Sequence, residues 1–204
     1  MDTFLNAMQH RFACKRFDTT RPMTEEEITA ILEYGRLTPS SFGLELWSFH
    51  AVISEEKKRA LYAACFDQET VLTSGMTVAV LARTGKYADP DGPMVAQRGA
   101  RFPGSLDFYI EDYRPYYEFV VKEGRLDCWL RSQGYLAIAN MMTGARTLGI
   151  QSCAIEGFDE TQVIEILGVD PAEWQVSLLS TFGHPDEPER PKIRMSLEEL
   201  VVRH

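Results

Sequence analysis

Arg11, Lys15 and Arg16 place three cations within six residues of a 204-residue chain whose formal net charge is -9. They lie in Arg11-Phe12-Ala13-Cys14-Lys15-Arg16-Phe17-Asp18, so aromatic surface accompanies the charge. In an acidic chain this pairing suits an anion with a flat apolar body, and taken alone it also fits a solvated basic turn. Lys192 and Arg194 add two cations near the other end, in Pro191-Lys192-Ile193-Arg194. Between the ends, Ser40 and Ser41 follow Pro39, where hydroxyls and freed backbone groups either meet a ligand or cap a turn. In Ala154-Ile155-Glu156-Gly157 the glycine permits close backbone approach.

Other chemistries lack their signatures. The chain has no G-x-G-x-x-G, Walker A loop, H-E-x-x-H or G-x-S-x-G. Its four cysteines (14, 65, 128, 153) and four histidines (10, 50, 184, 204) are scattered, which reads as reduced thiols with no disulfide frame and no zinc site. No Ser/His/Asp or Cys/His set assembles. An enzyme without a nucleophile or metal takes its chemistry from an organic cofactor.

The elements that must position these residues are readable in outline. Thr24-Glu25-Glu26-Glu27 has the form of a capping box, and Ile28, Ile31, Leu32 and Gly35 continue it as a helix over 25–37, stopped by Pro39. Residues 47–53 read as a strand, and Ser54 caps a helix through about residue 65. Residues 76–83 form an apolar run suited to a buried strand. Residues 84–126 are rich in Gly, Pro, Asp and aromatics with poor periodicity, and predict loops and shorter helices. Leu130, Gly134, Ala137, Ile138, Met141, Met142 and Ala145 mark a central helix over 129–148, with Gly149 as its C′ residue. Strands follow at 150–155 and 175–183, with a helix capped by Asp159 running to Gly168 between them.

One α+β domain spans 1–204, with 184–204 as a Pro-rich, charged arm ending in apolar Met195, Leu197, Leu200 and Val201. Such an arm is either a frayed terminus or a reach toward a second subunit. The apolar fraction of 45% and charged fraction of 25% are those of a soluble globular protein, and the acidic balance argues against nucleic acid as partner. No apolar run is long enough to cross a bilayer and no signal peptide is evident, so the expected compartment is the cytoplasm.

In order along the chain, the 11–18 segment, Thr38-Pro39-Ser40-Ser41-Phe42-Gly43-Leu44-Glu45-Leu46-Trp47, residues 129–136, Asn140, Leu148-Gly149-Ile150, Ala154-Ile155-Glu156-Gly157-Phe158-Asp159, Gly183-His184 and residues 191–194 resemble the FMN-dependent nitroreductase family. The look is nearest to its oxygen-insensitive NAD(P)H nitroreductase and dihydropteridine reductase branch. The resemblance implies a mostly antiparallel sheet flanked by helices, and a homodimer with exchanged C-terminal arms and FMN at the interface. It implies ping-pong transfer of two electrons from NAD(P)H to nitroaromatics, quinones or other flat acceptors, with no side chain as nucleophile.

By the same resemblance Arg11, Lys192 and Arg194 hold the phosphate, and Lys15 lies at the flavin pyrimidine edge. Phe12, Ala13, Pro39, Ser40, Ser41, Gly43, Asp67, Ala154, Ile155, Glu156 and Gly157 complete the cofactor site, the Glu156 backbone N–H lying near N5. Phe42, Thr70, Tyr116, Tyr117 and Phe119 fall at the substrate and NAD(P)H pocket, although ordinary packing also accounts for the last three.

The departures from the pattern are specific. The family's Asn and Gln before the tryptophan are Gly43 and Glu45, its proline is Leu46, and its serine after the first arginine is Ala13. Its later Asn and Lys fall at Asp67 and Thr70. These changes keep open a flavin or pteridine reductase, a specialised ene-reductase or dehydrogenase, or a non-catalytic flavin-binding dimer.

Overall fold

The computed structural model describes residues 2–204. Four antiparallel strands, β1 (Trp47–Val52), β2 (Met76–Arg83), β3 (Gln151–Ile155) and β4 (Trp174–Gly183), form one sheet in the order β1-β2-β4-β3. Helices α1 (Thr3–His10), α2 (Glu25–Arg36), α3 (Glu55–Ala64), α4 (Glu69–Thr73) and α5 (Pro93–Gly99) come from the first half. Helices α6 (Leu106–Lys122), α7 (Leu126–Thr147), α8 (Glu160–Leu167) and α9 (Leu197–Leu200) come from the second.

β2 is apolar along its length because both of its faces are covered. Met76, Val78 and Val80 pack with Ile28 and Ile31 of α2 and with Ile138 and Met141 of α7. Ala79 and Leu81 turn the other way, against Leu61 of α3 and Val163 of α8. The caps expected from sequence form as read. Thr24 accepts from the Glu27 N–H while the Glu27 carboxylate accepts from the Thr24 N–H, and α8 ends on left-handed Gly168.

The stretch 84–126 departs from expectation, since it contains the 17-residue α6 with Pro115 inside it. Tyr113 and Val120, two turns apart, are its buried residues, and proline obscures a period that already depends on aromatics. α6 is stabilised by packing of Tyr113, Tyr116 and Tyr117 with Leu44, Trp129 and Leu130. Helices α1 and α4 carry no sequence signal strong enough to have been expected.

The basic segment runs along the edge of β3. Ala13 bridges Ser152 in parallel, the Cys14 N–H donates to the Ser152 carbonyl at 3.1 Å, and Phe17 bridges Pro185. Phe12, Cys14 and Phe17 point inward as a small buried cluster, leaving Ala13, Lys15 and Arg16 outward. Phe17 lies so close to Gly183 that a Cβ there would meet its ring at 2.9 Å.

Burial pushes the Cys14 thiol up to about 12 and the Cys65 thiol up to about 11. Cys153 is also buried, and only Cys128 is exposed. Because thiolate is the reactive form, a disulfide reagent at neutral pH should titrate one thiol rapidly in the native protein and four after denaturation. Two or more fast thiols would contradict this packing.

Candidate functional site

Arg11 is the residue on which α1 ends, its N–H donating to the Ala7 carbonyl. The Lys192 ammonium donates to the Arg11 carbonyl, bringing the far end of the chain against the start. Burial and the Arg194 charge lower the pKa of Arg11. Burial, then Arg11 and Arg194, lower that of Lys192 against an opposing pull from Glu189. Arg11 and Lys192, both lowered by burial and by the Arg194 charge, form with Arg194 a cationic group whose repulsion a phosphate dianion would relieve. Glu189 is itself engaged, with His10 at 2.6 Å and Arg146 at 3.6 Å.

Lys15 continues this surface along β3, its exposed ammonium 3.2 Å from the Cys153 sulfur. Its backbone N–H donates to the Glu187 carboxylate. Although burial of Glu187 acts upward, the Lys15 N–H and Arg190 hold that carboxyl below its ordinary range. Arg16, which sequence reasoning left without a role, ties the tail down through Asp186 at 3.1 Å.

At the end of β3, Ala154 within the strand and Glu156 and Gly157 just beyond it are exposed, while the Ile155 side chain belongs to the core. The Tyr135 hydroxyl of α7 donates to Glu156 at 2.8 Å, and Gln68 donates to the Gly157 carbonyl at 3.0 Å. Thus the Phe66–Gln68 turn borders this surface, with exposed Asp67 in it at φ 56°. Glu187, Tyr135 and Gln68 were not anticipated, since each meets the surface only through tertiary contact.

Thr70 corrects the expectation that it lines a pocket. It is buried, its hydroxyl donating to the Cys14 carbonyl at 3.0 Å and lying 2.8 Å from the Thr181 hydroxyl. The position supports the basic segment from beneath.

The other anticipated residues form a second group. The Ser41 N–H donates to Gln133 at 2.9 Å, and the Trp129 indole donates to the Ser41 hydroxyl at 3.3 Å. Ser40 accepts from the Glu45 N–H at 3.0 Å, and Pro39 beside it is exposed. Phe42 packs on Tyr113 and Tyr116, with ring centroids 5.0 and 5.5 Å away. Tyr116 and Tyr117 are half-buried in that cluster, whereas Phe119 is exposed. Among the described residues, no hydrogen bond or ion pair joins residues 39–43 to 11–15 or 154–157. One chain builds two partial surfaces.

Fold and site together describe an α+β domain with a cationic surface along one edge of its sheet. The family model described as Nitroreductase family matches residues 8–184, and the chain belongs to that family. A Staphylococcus epidermidis protein provisionally named an NAD(P)H nitroreductase is 34% identical, over 98% of this chain and 96% of its own. A nitroreductase-like protein from Streptococcus mutans superposes with a TM-score of 0.85 at 20% identity, over 100% of this chain and 99% of its own. A structure from Exiguobacterium sibiricum, provisionally called a nitroreductase and bound to FMN, superposes at 0.82 with 24% identity, over 98% of this chain and 97% of its own. Among the described residues no helix is long and apolar enough to cross a membrane, and no cluster of His, Cys, Asp and Glu could hold a metal ion.

Proposed function

We propose that the protein is an FMN-dependent NAD(P)H oxidoreductase, working as a homodimer on nitroaromatics, quinones or related flat acceptors by a ping-pong mechanism. The convergence of Arg11, Lys192 and Arg194 carries the reading, since their mutual repulsion calls for an anion such as the FMN phosphate. The names of the relatives and the FMN of the Exiguobacterium protein support it. When bound, FMN supplies a ring that takes a hydride from NAD(P)H and returns two electrons to the acceptor.

The chain's own residues bind, orient and tune that ring. Lys15 presents an ammonium at the sheet edge, where it favours developing negative charge on the pyrimidine side. Phe12 and Ala13 present backbone along the same edge, and Ala154 to Gly157 offer backbone at the exposed end of β3. Tyr135 fixes the Glu156 side chain, which limits movement of the Glu156 N–H.

The second surface, with Pro39, Ser40, Ser41 and Gly43, comes from the partner subunit in this proposal. β1 has one neighbour in the sheet and so an open edge for a partner strand. The arm is tied to its own chain as far as Lys192, and beyond it Ile193, Met195, Leu197 and Val202 are exposed. Apolar surface of that kind favours burial on a second copy. The cytoplasm supplies NAD(P)H and keeps such thiols reduced.

Purified protein should be yellow, carry one FMN per subunit, and bleach when NADH or NADPH is added without oxygen. A colourless protein that takes up no added FMN would refute the reading. Lys15→Ala should slow flavin reduction in stopped flow more than it weakens flavin binding, and an unchanged rate would remove the role assigned to Lys15. Gly43 and Glu45 favour a second reading, a narrower ene-reductase or flavin or pteridine reductase. Turnover on enones or pterins without turnover on menadione would select it.

A further inference from the structure

The turn that presents Ser40 and Ser41 is strained. Phe42, Gly43 and Glu45 all have left-handed backbones, at φ 54°, 60° and 46°. Two of the three are not glycine, so something outside the turn must hold it. Besides the bonds of Ser41 to Gln133 and Trp129 on α7, the restraints come from residues 101–109, between α5 and the start of α6. The Arg101 guanidinium donates through Nη2 to the Gly43 carbonyl at 2.8 Å and through Nη1 to the Glu45 carboxylate at 2.9 Å. The Tyr109 hydroxyl donates to the Phe42 carbonyl at 2.8 Å. A Cβ on Gly43 would stand 2.2 Å from the Phe102 ring, so the space of the family's asparagine side chain is filled by an aromatic ring.

We propose that Arg101 is a positioning residue that latches this turn in the shape that offers Ser40 and Ser41 to the cofactor, an inference that rests on the FMN reading above. The connection is short. Arg101 holds the Glu45 carboxylate, and the Glu45 N–H donates to the Ser40 hydroxyl at 3.0 Å. A planar fork with two separated donors can hold a carbonyl and a carboxylate together, which a lysine ammonium at the same place does less well. The latch also accounts for the departures at Gly43 and Glu45. The glycine admits Phe102, and the acid in place of glutamine gives Arg101 a charged partner.

The test is an FMN fluorescence titration of wild type, Arg101→Ala and Arg101→Lys, with the melting temperature of each flavin-free protein. Removing a charge-assisted bond of this kind should weaken FMN binding roughly tenfold in Arg101→Ala. Arg101→Lys should recover part of the loss, and the flavin-free melting temperatures should agree, because Arg101 is exposed. Arg101→Ala that binds FMN as tightly as wild type would overturn the latch. So would a loss of affinity matched by a fall in the flavin-free melting temperature. A wild-type protein that takes up no FMN overturns the cofactor reading itself, whereas binding that is equal in both proteins overturns only the latch.

Discussion

Arg11→Ala should lower the affinity for FMN by roughly 10- to 100-fold, the worth of a charge-assisted hydrogen bond to a phosphate. The expectation rests on three cations arriving from both chain ends, with burial and mutual repulsion already lowering the pKa values of Arg11 and Lys192. An anion among them relieves that repulsion, so its removal costs more than an ordinary surface contact. Affinity should fall on the acid side as the phosphate loses its second charge near a pH of about 6. It should also fall on the alkaline side, because Lys192 gives up its proton at lower pH than a free lysine. A bound anion raises that pKa again, so binding at alkaline pH should take up protons. Fluorescence titration across pH and salt would check each point. An Arg11→Ala protein that binds FMN like wild type would remove the phosphate assignment.

Phe17→Ala should be the most destabilising single change in the basic segment, by about 3–5 kcal/mol. Phe17 is 2% exposed, packs with Phe12 and Cys14, and meets Gly183 at the end of β4. The cavity opens between the segment and the sheet, where little else can collapse inward. A fall in melting temperature of roughly 10 °C is expected, with weakened FMN binding, since Arg11 and Lys15 are carried on the same backbone. Arg16→Ala offers the contrast. Its pair with Asp186 is more than half exposed on both sides, so its loss should cost at most about 1 kcal/mol. Equal melting temperatures for the two variants would show that the inward cluster does not anchor the segment.

The legible parts of the sequence were those whose signals are local. The capping box at Thr24, the apolar run of β2, the Asp159 cap and the small-residue stripe of α7 each depend on neighbours within a few turns, and each formed as read. α6 was not legible, because its stability comes from aromatic packing against Trp129 and Leu130 and its period is broken by Pro115. Thr70 was misplaced for a related reason. A threonine aligned with a functional position carries no mark that its hydroxyl will be spent beneath the surface, on the Cys14 carbonyl and Thr181.

By itself the sequence determined the α+β class, the family resemblance and the residues with the charge for an anion site. Residue type and order carry those features without reference to contact. Only the tertiary structure decided how those residues are grouped. It set Arg11 beside Lys192 across 181 positions of chain and gave Ser40, Ser41 and Lys15 different hydrogen-bond partners. It also turned Gly43 and Glu45 from losses into parts of a latch with Arg101 and Phe102. Charge repulsion, burial and backbone strain act through space, and residues distant in sequence come within their reach only when the sheet and helices close around them.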